Sequence, residues 1–163
     1  MSDDSVWEKE KGELRILGKR CTAIDVQSLC EYLNSLVGIQ VAEVIMHNLE
    51  FRLGKLDAAT LKANKPQANV NELMEELVKS DQLSGLGITK AKFNESADIS
   101  ADIEVANPSV KGSAGAAKSF VFSYWAGAIT ALLDKEFDVK NVIYDQDRNI
   151  MKGSIVQRDL HSK

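Results

Sequence analysis

The sequence predicts an α+β domain: an antiparallel sheet built from hairpins and covered by four helices. Three observations carry that expectation. The apolar residues switch several times between helical spacing and strict alternation. The alternating stretches come in adjacent pairs, which is the pattern of antiparallel hairpins. One uncharged segment, "SFVFSYWAGAITALL" at 119–133, is apolar around most of its circumference, as a helix enclosed by other elements would be. A chain of 163 residues with 44% apolar content suits one domain with a single sizeable core.

Residues 1–12 begin acidic and lack the basic-then-apolar order of a signal peptide, so they read as a flexible tail with Trp7 placed to pin it. Residues 13–163 read as a single domain. "GELRILGKRCTAID" gives two short strands, about 13–16 and 20–23, reversing at Leu17-Gly18-Lys19. Asp25 is positioned to cap a helix, because its carboxylate can accept from the unpaired amides of the first turn. Val26, Leu29, Cys30, Leu33, Leu36 and Val37 form that helix's apolar stripe, and Gly38 stops it.

A longer helix follows over about 39–64, with Val41, Val44, Ile45, Leu49 and Leu53 repeating at three and four and Leu56 and Leu61 extending the pattern. Gly54 inside it costs about 1 kcal/mol and so marks a bend or a close packing contact. Asn69 caps a third helix with Leu73, Met74, Leu77 and Val78 inward, and Glu72 completes a capping box. The period then changes. "LGITKAKFN" and "DISADIEVA" alternate, the second with Ile99, Ala101, Ile103 and Val105 on one face, and they join near Glu95-Ser96-Ala97. Pro108 ends the second of these strands. The aromatic helix comes next, and "FDVKNVIYDQDRNIMKGSIVQRD" closes the chain as a hairpin turning at Asp147-Arg148-Asn149.

Composition excludes several functions. Net charge is −4 with the basic residues scattered, which leaves no footprint for nucleic acid or an anionic membrane surface. The uncharged aromatic run spans about 22 Å as a helix, whereas a bilayer core needs about 30 Å, so no membrane insertion is expected. Cys21 and Cys30, eight residues apart and without neighbouring ligands, read as two reduced thiols of a cytoplasmic protein. His47 reads as a partly exposed structural residue and His161 as solvated. No Ser-His-Asp order, H-E-x-x-H, P-loop or G-x-G-x-x-G occurs. "GSAG" at 112–115 reads as a connector, and Glu75-Glu76 as solvated charge. The chain therefore offers no reaction centre, and no enzyme is expected.

What it offers is an apolar wall. Phe122, Trp125 and Ile129 share a helix face, and Ala126, Gly127 and Ala128 beside them leave room for a flat or chain-like ligand. Met46, Phe93, Ile103 and Val139 are candidates for the remaining walls. The Trp125 indole N–H and the Tyr124 hydroxyl are sparse polar handles. Plain core packing by the same rings is the competing reading. The 39–64 helix carries apolar residues on more than one face (Val41, Ile45 and Leu49; Met46 and Leu53; Phe51), which calls for a second covering surface.

"RILGKR…AIDVQSLCEYLNSLVG", "GIQVAEVIMHNLEFRLGKLDAATL", "SGLGITKAKF" and "AAKSFVFSYWAGAITALLDKEFDVKNVIYDQD" together resemble the vinyl-4-reductase domain family, in order and spacing over residues 13–158. That family shares its fold with the small subunits of the TRAPP vesicle tether, with heme-based nitric-oxide sensor domains and with the aromatic-effector domains of phenol- and xylene-responsive activators. The resemblance implies a cytosolic homodimer that binds a small hydrophobic molecule between helices and sheet, as a sensor or carrier. An assembly subunit, or an accessory enzyme of tetrapyrrole metabolism, is the alternative it leaves open. Many relatives carry zinc on a Cys, a Glu and two further Cys. Carried over, these fall on Lys118, Asn141, Tyr144 and Lys152, none of them a thiolate or carboxylate, so no zinc and no other cofactor is expected.

Overall fold

The computed structural model describes residues 6–8, 13–16, 19–21, 24–94 and 99–158. The expected reversal at 95–97 and His161 lie outside the described residues, as does the side chain of Trp7. Three short strands, β1 (Val6–Glu8), β2 (Glu13–Ile16) and β3 (Lys19–Cys21), form one antiparallel sheet in that order. Val6–Glu8 falls within the stretch read as a tail and pairs with β2. Helices α1 (Val26–Val37), α2 (Ile39–Asn64) and α3 (Val70–Leu83) follow. The second sheet has four antiparallel strands, β4 (Ile88–Asn94), β5 (Ser100–Ala106), β6 (Phe137–Asp145) and β7 (Ile150–Gln157), with α4 (Gly115–Leu133) between β5 and β6 in the chain. Its order is β4-β5-β7-β6, so both hairpins are kept and β7 returns to pair with β5.

Local chemistry sets the helix ends. The Asp25 carboxylate accepts from the Ser28 amide at 3.2 Å. Gly38, at φ +79°, lets the chain leave α1 and enter α2 in a conformation that an L side chain resists. The Asn69–Glu72 capping box is complete in both directions, at 3.0 and 2.9 Å. On β5, Ala101, Ile103 and Val105 are buried as the alternation requires.

On α2 the apolar repeat does not face the core. The large aliphatics Val41, Val44, Ile45, Leu49, Leu53 and Leu56 point outward, each between 42% and 59% exposed. The face turned into the protein is Ala42, Met46, Glu50, Gly54, Ala58 and Leu61, at a spacing of three to four. The reason is steric. α2 crosses α4 at backbone contact: a Cβ on Gly54 would stand 1.9 Å from the Tyr124 carbonyl oxygen, and one on Gly127 2.0 Å from the Phe51 carbonyl oxygen. Only small residues permit that approach, so Gly54 marks close packing.

α4 lies between α2 and the four-stranded sheet. Among the described residues it is the one helix long and apolar enough to cross a membrane, and fifteen of its nineteen residues are buried inside the fold. Trp125 and Phe122 are fully enclosed, and each such side chain contributes about 2–3 kcal/mol of burial. The Phe122 ring rests on Gly153 of β7, where a Cβ would come within 2.8 Å of two ring carbons.

Candidate functional site

Of the residues expected to line a pocket, Met46, Ile103, Phe122, Trp125, Ala128 and Ile129 are each no more than 2% exposed. They belong to the hydrophobic core, with Ala128 in the α2–α4 seam, its amide 2.9 Å from where a Gly54 Cβ would lie. Phe93 and Val139 are half-buried, and the structure does not bring them together. They sit on β4 and β6, which the strand order places at opposite edges of the sheet. Phe93 lines a cleft between α3 and β4, whereas Val139 lines a polar groove beside α2, α4 and β6.

The α3–β4 cleft encloses about 680 Å³, within the range of small-molecule sites. Met74, Val78, Ala91 and Phe93 supply apolar lining, and Lys79, Gln82 and Lys90 stand with them. Thr89 also lines the cleft, and behind it lies a buried polar chain. Its hydroxyl donates to Asp81 Oδ2 at 3.3 Å, and the Trp125 indole N–H donates to the same oxygen at 2.9 Å. Tyr124 donates its hydroxyl to Asp57 at 3.2 Å. The two polar handles of the aromatic helix are thus already engaged inside the protein.

A third carboxyl, Glu50, is buried on the inner face of α2. Burial, then the charges of Asp81 and Asp57, push it up to about 7. Burial likewise pushes Asp81 up to about 7, against the lowering effect of its bonds from Trp125 and Thr89. Burial first, then Glu50 and Glu31, raise the Cys30 thiol to about 11, so it stays protonated and unreactive. Burial also holds the Tyr124 phenol far above its ordinary value. The acids are the residues that sequence reasoning missed, because charge reads as surface. A signal existed in each case. Glu50 sits in register between Ala42, Met46 and Gly54, Ala58, and Asp81 continues the Met74–Leu77 stripe at a helix C-terminus, where the dipole disfavours a carboxylate.

The groove at β6 is smaller, about 460 Å³. There His47 Nδ1 pairs with Ser123 Oγ at 2.9 Å, and the His47 ring lies 5.6 Å from that of Phe51. Lys118 forms an ion pair with Glu43, and Arg158 binds Asp138. The other positions carried over from the zinc set lie on the β6–β7 hairpin, where Asn141 and Lys152 line one hollow. Tyr144 donates to Asn149 at 2.8 Å, Lys152 pairs with Glu104 at 2.7 Å, and Asn141 takes a left-handed conformation at an irregularity in β6.

No protein-family model matches the chain, and no curated protein matches it. Solved structures share its fold. The phenol-responsive sensory domain of the transcription activator PoxR, with phenol, superposes with a TM-score of 0.76 at 11% identity, over 94% of this chain and 85% of that one. A vinyl-4-reductase family protein from Methanocaldococcus jannaschii gives 0.54 at 17% identity, over 85% of each chain. The expected α+β fold is therefore the fold of this chain.

Proposed function

We propose that this chain is a non-catalytic ligand-binding domain that holds a small apolar molecule in the cleft between α3 and β4, as a sensor or carrier. The cleft carries the reading: it joins an apolar lining to one buried polar wall, the composition by which such sites hold and orient small molecules. The fold shared with a domain that responds to phenol supports it. The core residues of α4 form the scaffold behind this cleft rather than its surface, which moves the site outward from the aromatic helix itself. Met74, Val78, Ala91 and Phe93 hold the ligand, and Thr89 orients it. The domain works in the cytoplasm, without zinc or another cofactor.

The second element of the proposal is a homodimer. Val41, Val44, Ile45, Leu49, Leu53 and Leu56 make an exposed apolar stripe along α2. Its spacing mirrors about its centre: Val41 and Val44 precede it as Leu53 and Leu56 follow it. A second copy crossing antiparallel would therefore meet an apolar residue at each end, which is the self-complementarity a two-fold interface needs.

The cleft is tested by following backbone amide resonances during a titration with toluene. Shifts confined to residues of α3 and β4 are expected, and Ala91→Trp, which fills the cleft from a half-buried position, should abolish them with the fold retained. Shifts confined to the α2 stripe, or none at all, overturn the assignment.

A further inference from the structure

We infer that the groove beside β6 is a second binding site, and that it takes a neutral molecule with hydroxyls on neighbouring carbons, of the size of a monosaccharide or a cyclitol. The site lies apart from the α3–β4 cleft, because β6 and β4 form opposite edges of the four-stranded sheet. Its floor holds two hydroxyls one helical turn apart on α4. Ser119 is 2% exposed and Ser123 1%, and both line the groove. The Ser123 hydroxyl pairs with His47 Nδ1 at 2.9 Å. The Ser119 hydroxyl makes no hydrogen bond with the described residues. A hydroxyl so deeply enclosed is ordinarily bonded; this one borders a groove of about 460 Å³, a volume within the range of small-molecule sites. The complement that the described chain does not supply is a hydroxyl from outside.

The carboxylates of the groove are matched within the chain. Glu43 is paired with Lys118 and Asp138 with Arg158, and Lys140 stands exposed beside them. A ligand anion would meet the carboxylates of Glu43 and Asp138, and a ligand cation the ammonium groups of Lys118 and Lys140. A neutral ligand meets neither penalty. What the groove still offers is hydrogen bonding in both senses. Whichever of Ser123 and His47 donates to the other, the Ser123 oxygen keeps a lone pair, and His47 Nε2 makes no hydrogen bond among the described residues. Ser119 can both donate and accept, as can each hydroxyl of a polyol. The Cβ atoms of residues four apart on a helix lie about 5–6 Å from each other, so adjacent ligand hydroxyls can meet Ser119 and Ser123 together. Val139 gives the carbon skeleton an apolar contact. An apolar molecule would leave both serines unmet, which separates this site from the α3–β4 cleft.

The test is a titration of the full chain with myo-inositol, glucose, toluene and sodium acetate, followed by backbone amide and histidine imidazole resonances. At least one of the two polyols should shift the amides of residues 118–123 and 138–140 together with the His47 imidazole. Ser119→Ala should weaken that binding about fivefold, the equivalent of one hydrogen bond. It should leave the melting temperature unchanged, since the hydroxyl it removes bonds to nothing in the described fold. If the variant melts early, the unaltered chain carries the test: the His47 imidazole should move with the same Kd as the amides, and an unmoved imidazole overturns the site. No shift from either polyol, or undiminished binding by a folded Ser119→Ala, overturns it as well. Acetate that binds the same residues more tightly than either polyol overturns the neutral assignment. Toluene should leave all these resonances in place, and its own shifts in α3 and β4 report the cleft separately.

Discussion

The indole N–H of Trp125 donates to Asp81 Oδ2 across 2.9 Å, and neither side chain is more than 4% exposed. The largest apolar residue of the core is thus fastened to a buried acid on α3, and the aromatic helix is fixed in rotation as well as in depth. A buried acceptor that loses its donor bears the full desolvation penalty, about 1–3 kcal/mol.

Trp125→Phe should therefore lower stability by about 2–4 kcal/mol, part from the lost donor and part from the void left by the smaller ring. Urea denaturation checks it. The loss should be greater at pH 8 than at pH 5, because a protonated Asp81 no longer needs the indole N–H. Equal losses at both pH values would separate the bond from the packing and leave only the latter.

Glu50 and Asp81 set the pH dependence of the domain. Both are raised to about 7 in the folded state, above the values of about 4 expected unfolded. Between those limits the folded form binds more protons than the unfolded form, so stability falls as pH rises through that window. The loss between pH 5 and pH 8 should be on the order of 5 kcal/mol, about two pKa units for each of the two acids at about 1.4 kcal/mol per unit. At the acid end the sign reverses for Asp138, lowered first by its hydrogen bond from Arg158, and for Glu76, lowered by Lys79 and Lys65. Stability should thus peak near pH 5, and melting curves across pH 3.5–8.5 measure it. A plateau from pH 5 to 8 would mean that the two acids are not buried as a pair.

Much of this was legible where one residue acts through its own backbone or its near neighbours. Asp25, Gly38, the Asn69–Glu72 box and the alternation of β5 needed no tertiary information. The face of α2 did. Val41, Ile45 and Leu49 dominate any hydrophobic pattern, yet backbone contact with α4 selects Ala42, Gly54 and Ala58 for the interior. Strand order is also non-local, and it separates Phe93 from Val139. Glu50 and Asp81 stayed hidden because three helices, not one, provide their enclosure.

The crossing of α2 and α4 leaves no room for a methyl group. Gly127→Ala should destabilise by more than about 2 kcal/mol, since the added carbon meets the rigid Phe51 carbonyl rather than a movable side chain. Ala128→Phe, in the same seam and fully buried, should prevent folding rather than fill a ligand pocket. Circular dichroism melts of both variants decide this, and a native-like Ala128→Phe would restore the aromatic helix as a ligand wall.

Metal content follows from the four replaced positions. Lys118 is paired with Glu43 and Lys152 with Glu104, and neither ammonium can serve as a zinc ligand. Protein dialysed against buffer should contain well under about 0.1 zinc per chain by elemental analysis, and chelator should leave its melting temperature unchanged. Stoichiometric zinc, or a melt lowered by chelator, would refute this.

The α2 stripe gives the last prediction. It runs most of the length of the helix, from Val41 to Leu56, and Leu49, Leu53 and Leu56 also line an apolar hollow of about 730 Å³ together with Ala131. Exposed apolar surface of this continuity is covered by a partner in most soluble proteins. Leu49, beside the centre of the mirrored spacing, would lie close to its own counterpart in a two-fold pair. Leu49→Glu therefore places two like charges together and should convert the dimer to a monomer, a larger effect than one substitution at the edge of an interface would have. The monomeric variant should keep its secondary structure, because Leu49 is 47% exposed and lies outside the core. Light scattering at micromolar concentration reads the outcome. The unaltered chain should give about twice 17.9 kDa, and the variant 17.9 kDa. A mass of 17.9 kDa for the unaltered chain would leave the stripe to a different protein and remove the homodimer from the proposal.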